Sequence, residues 1–116
     1  MTIINGVEFD IDFTDADFIE KIESGYNDVV KKTQEMQKNN ENIQLTNAEG
    51  IRQECKIIKD FFDYVLGDGT SEKLFGNKNS LDKCMNAFED ITKAKESQLA
   101  DFQTRVSKYS PDRLKR

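Results

Sequence analysis

The chain has 116 residues, 36% of them hydrophobic and 34% charged, with a net charge of −5, two cysteines, one proline and no histidine. One domain of this length holds a modest core, and an acidic balance without a basic run argues against nucleic acid and anionic membranes as partners. The lack of histidine removes the usual general acid/base and the commonest metal ligand, so a conventional Ser-His-Asp triad is impossible within this chain.

The opening stretch, Ile3-Ile4-Asn5-Gly6-Val7-Glu8-Phe9, predicts a β-hairpin, because Asn-Gly suits the two positive-φ positions of a type I′ turn. Val7, Phe9, Ile11 and Phe13 fall on one face, and Glu8, Asp10 and Asp12 on the other. The hairpin region is 1–13, with only Met1 to Ile4 available to pair with Val7 to Asp10. Ile11 and Phe13 are therefore expected to form an open edge that invites another chain.

Thr14 with Asp17 resembles a capping box and starts a helix over 15–38, carrying Phe18, Ile19, Ile22, Tyr26, Val29, Val30 and Met36 at helical spacing. Gly25 interrupts that stripe, as a position of close helix approach would. A second capping box, Thr46 with Glu49, opens a helix over 47–66, with Ile43 and Leu45 placed to staple its start. Ile51, Cys55, Ile58, Phe62 and Val65 recur there at four-three spacing, which makes this the central helix. Gly67-Asp68-Gly69 ends it, and a short helical turn over 71–75 sets Leu74 and Phe75 as a lid on the core.

Asn79 or Ser80 caps a long helix over 80–109, whose apolar residues thin out after Ile91 and return at Leu99, Phe102, Val106 and Tyr109. Its distal half is thus expected to leave the core and offer Leu99, Phe102, Val106 and Tyr109 to a partner. Pro111 is expected to stop the helix, leaving 110–116 as a mobile tail. The fold class is mainly α: an N-terminal hairpin, three main helices in a bundle, and a short helical turn.

No motif for chemistry survives testing. Asp10, Asp12, Asp15 and Asp17 resemble a calcium loop, but the EF-hand register puts Asp15 where glycine is needed and Lys21 where the bidentate Glu belongs. Gly67 to Lys73 lacks the spacing of a phosphate-binding loop. Cys55 and Cys84 read as buried thiols on apolar helix faces, neither a disulfide framework nor a metal motif. No cofactor and no catalysis are expected for want of such motifs and of histidine, and a cytoplasmic location is expected because no signal peptide or apolar span is evident.

Ile4-Asn5-Gly6-Val7-Glu8-Phe9, Asp12 to Asp17, Phe61-Phe62-Asp63, Gly69-Thr70-Ser71-Glu72-Lys73-Leu74-Phe75-Gly76 and Lys108-Tyr109-Ser110-Pro111 form a wider pattern. It resembles a family of small proteins encoded among the tail-morphogenesis genes of phages and prophages of Gram-positive bacteria. The Gly-Thr-Ser-Glu-Lys-Leu-Phe-Gly segment is its most specific part. In size and in the Ile-Asn-Gly hairpin followed by helices, this family looks like tail assembly chaperones. The resemblance implies binding to the tape measure protein or tail-tube protein, self-association during assembly, and departure before the virion is finished. A structural tail component and a host-directed regulatory or anti-defence protein are the alternative readings.

Overall fold

The computed structural model describes residues 1–107. Two short strands, β1 (Thr2–Ile4) and β2 (Val7–Phe9), precede four helices: α1 (Ala16–Asn39), α2 (Asn47–Leu66), α3 (Thr70–Phe75) and α4 (Leu81–Ser107). The predicted mainly α fold with an N-terminal hairpin is the one observed. The strands pair antiparallel, with Ile4 opposite Val7 and Thr2 opposite Phe9. Asn5 and Gly6 make the turn at φ of 49° and 78°, the positive region that a type I′ turn requires.

The hairpin is anchored by its turn. The Asn5 backbone N–H donates to Asp90 Oδ2 at 3.1 Å, and its side-chain amide donates to the Lys83 carbonyl at 3.0 Å. Both acceptors lie on α4, so Ile4 is driven into the core, where it is fully buried. The expected open edge does not form. Strand pairing stops at Phe9, and Ile11 and Phe13 turn inward and are buried. The Phe13 N–H donates to Gln98 Oε1 at 3.1 Å, while Gln98 Nε2 reaches the Ile11 carbonyl at 3.5 Å. A side chain of α4 thereby takes the backbone bonds that a neighbouring strand would have supplied.

Helix α1 begins one residue later than its predicted box. Asp15 is the cap, accepting the Phe18 N–H at 3.1 Å, because the Thr14 hydroxyl is turned back onto Asp12 Oδ1. That hydroxyl and the Thr14 N–H hold the Asp12 carboxyl below its usual range. On α2 the Thr46–Glu49 capping box forms as expected. The staple does not: its helix-side position is Gly50, which has no side chain to pack, and Ile43 stays exposed.

Helices α1 and α2 pack antiparallel and tightly at Gly25, where an added Cβ would meet Val65 Cγ2 at 2.9 Å and Phe61 Cε1 at 3.0 Å. An aromatic cluster fills the junction with α4: Tyr26 stacks on Phe61 at 5.2 Å, and Phe88 meets both edge-on. The Tyr26 hydroxyl bonds Thr92 Oγ1 at 3.0 Å, and Lys95 lies over the Tyr26 ring.

The Gly-Thr-Ser-Glu-Lys-Leu-Phe-Gly segment is used within the fold. Asp63 accepts both the Ser71 N–H at 2.8 Å and the Ser71 hydroxyl at 2.9 Å, and the Thr70 hydroxyl donates to the Gly67 carbonyl. Phe75 packs on Phe62 with ring centroids 5.9 Å apart, and Gly76 closes α3 at φ of 61°. These contacts fold the chain back from the end of α2 to the start of α4. They also give a physical reason for Phe61-Phe62-Asp63 to accompany that segment in one pattern.

Candidate protein-interaction surface

The first half of α4 is a core element, with Cys84, Ala87 and Ile91 fully buried. The Cys84 thiol hydrogen-bonds with Cys55 of α2, so two cysteines far apart in sequence lie side by side. Burial, then that bond, pushes the Cys84 thiol up to about 12. Such a thiol stays protonated and is a poor nucleophile.

The second half leaves the bundle. The extended segment after β2 crosses α4 at Gln98, and Thr14 lies beside Phe102, Arg105 and Val106. From Ala100 to Ser107 every residue is exposed, with Phe102 at 44% and Val106 at 51%. Leu99 is half-buried and marks the edge of the bundle. These three residues share one helix face by their spacing of three and four, so the bare stripe continues the direction of the core-facing one.

Of the predicted interaction residues, then, Leu99, Phe102 and Val106 stand together on α4, and Tyr109 lies outside the described residues. Ile11 and Phe13 are instead core residues and offer no side chain to a partner. Period-two patterning identified their common face correctly but could not say what would cover it.

A second apolar surface was missed from sequence. Past Tyr26, helices α1 and α4 diverge over α2 and leave a groove of about 380 Å³ lined by Val29, Ile57, Ile58, Leu81, Met85 and Phe88. Glu54 stands at its margin and Met85 is 42% exposed. Each lining residue reads as core on its own helix, and only the divergence of the helices opens the space. Met85 was the available signal, since flexible methionines recur at adaptable binding surfaces.

Among the described residues no group of three or more acidic or cysteine side chains is placed to hold a metal ion, and no helix is long and apolar enough to cross a membrane. No curated protein and no solved structure matches the chain. A family profile does match, over residues 5–116, and the chain belongs to that family, a family of unknown function designated DUF6673.

Proposed function

We propose that this protein is a phage tail assembly chaperone-like binding protein that acts without catalysis in the host cytoplasm, shielding apolar helical stretches of the tape measure protein. The observation that carries the reading is the stripe on the projecting end of α4, where half-buried Leu99 leads into exposed Phe102 and Val106. An amphipathic helix offered in this way pairs with another apolar helical face. The identity of the client comes from the resemblance of the sequence pattern to tail-morphogenesis proteins. Tail-tube protein is the other client that the resemblance implies.

Burial of Ile11 and Phe13 weighs against the alternative of a permanent strand donor in the tail, since that role needs a free edge there. The test is co-expression with the tape measure protein encoded by the same phage or prophage. The expected result is soluble tape measure that co-purifies with the wild-type chain, and loss of both with Phe102→Asp. Unchanged solubility and capture with Phe102→Asp would remove the stripe from the proposal. Retention of the protein in purified virions would favour a structural component, and capture of a host protein without tape measure would favour the regulatory reading.

A further inference from the structure

The groove and the stripe are complementary in chemistry and lie on different parts of one molecule. The groove is lined mainly by apolar side chains, with Thr33 and one exposed acidic residue, Glu54, among them. The stripe presents Phe102 and Val106 with a basic residue, Arg105, lining the same concavity. Neither Glu54 nor Arg105 is ion-paired among the described residues. We infer that the distal face of α4 from one copy of this chain seats in the α1/α2/α4 groove of a second copy, with Phe102 and Val106 entering the groove and Arg105 meeting Glu54.

The two surfaces cannot meet within one copy. Leu81, Met85 and Phe88 of α4 form one wall of the groove. Phe102 stands about 21 Å further along the same helix, at about 1.5 Å per residue. A straight helix cannot fold its end back into its own wall, so the occupant has to come from another molecule. A cavity of 380 Å³ is small for a whole helix but suits a few side chains inserted from one, which is the helix-in-groove mode of recognition. Met85 at the rim can adjust its rotamer around an inserted ring.

Pairing of this kind joins unlike surfaces, so each copy brings one donor end and one acceptor groove. Two copies can satisfy both reciprocally, or further copies can add. Self-pairing is independent of which client the protein binds. A client covering the stripe, however, competes with the second copy.

The test uses the full chain and two variants at exposed positions, Phe102→Asp to spoil the stripe and Met85→Glu to spoil the groove. The wild type is expected to self-associate with a concentration-dependent mass in light scattering at physiological salt. Each variant alone should lose self-association by about 30-fold or more, as removal of a central anchor does. Mixed together, they should form a one-to-one complex, because one keeps an intact groove and the other an intact stripe. A parallel pair, Glu54→Arg and Arg105→Glu, should each weaken association and restore it when combined in one chain.

A wild type that stays monomeric at the highest soluble concentration overturns the inference. So does failure of the two variants to pair while both keep wild-type circular dichroism. Finding the groove filled by an apolar helical client instead of a second copy overturns it as well. Tape measure capture by Met85→Glu is a separate readout: its persistence without self-association would leave the chaperone reading standing while the groove assignment fell.

Discussion

Replacing Gly25 with Ala puts a methyl group 2.9 Å from Val65 Cγ2, 3.0 Å from Phe61 Cε1 and 3.1 Å from Phe61 Cδ1. Helix propensity alone favours Ala by about 1 kcal/mol in a helix interior. The neighbours oppose it, because neither can step aside cheaply. Val65 is β-branched and buried, and Phe61 is held between Tyr26, Phe62 and Phe88 at centroid distances of 5.1–5.2 Å. Overpacking of such a site costs about 1–3 kcal/mol, so the net expectation is a loss of about 0–2 kcal/mol, against the gain that propensity alone would give. Gly50 supplies the control: it lies in the first turn of α2, where an added methyl group would meet nothing within 4 Å, so Gly50→Ala should gain up to about 1 kcal/mol. Urea titrations followed by helical circular dichroism read both, with the slope unchanged between variants. Val65→Ala should also cost less in the Gly25→Ala background than in the wild type, since the two side chains compete for one space. Equal stabilisation by Gly25→Ala and Gly50→Ala would refute the claim that α1 and α2 touch at this glycine.

Phe13→Ala should destabilise the fold by about 3–5 kcal/mol, as loss of a fully buried ring does, and a stability near wild type in urea would return Phe13 to the surface. Gln98→Ala should cost about 1–3 kcal/mol by leaving the Phe13 N–H without its acceptor, and unchanged hydrogen exchange at that amide would show the contact to be unimportant. Stability should also fall as pH rises above about 9. The Cys84 thiol titrates near 9.0 when unfolded but at about 12 in the fold, so its contribution is complete below 9 and is lost between the two values as the unfolded chain gives up the proton. Tyr26, raised chiefly by burial, adds in the same direction above pH 10. Urea midpoints measured between pH 7 and 11 should decline less steeply in Cys84→Ala, and identical declines would remove Cys84 as the cause.

Local signals located most of the elements. Asn5-Gly6 specified its turn through backbone conformation, and Thr46 with Glu49 specified the start of α2 through two reciprocal hydrogen bonds. Both are determined within four residues. The features that sequence reading missed depend on residues brought together from afar. Gln98, which closes the edge at Ile11 and Phe13, lies 85 residues from Phe13, and nothing local distinguishes it from any exposed glutamine. Cys55 and Cys84 were each readable as buried, but their contact depends on how α4 crosses α2. At Thr14 the predicted cap gave way to Asp15, because the hydroxyl is bonded to Asp12 instead of to the helix start. The stripe on α4 was legible because exposure of a repeated apolar face follows from a sparse polar stretch before it. The groove was not, because no single helix contains it.

The turn at Asp12 to Asp15 sets how much of α4 is left bare, although it lies at the opposite end of the sequence. Gln98 is where the N-terminal segment crosses α4, and the stripe beyond it is exposed because the chain has turned away into α1. The length of sticky surface is thus measured out by a hydrogen-bonded bend of four residues, not by the composition of the helix that carries it. A homologue with one more helical turn before Asp15, about 5.4 Å of added cover, would hide Phe102 without changing a residue of α4. The short segment after the hairpin can therefore set how much of this apolar face meets solvent while the helices stay the same.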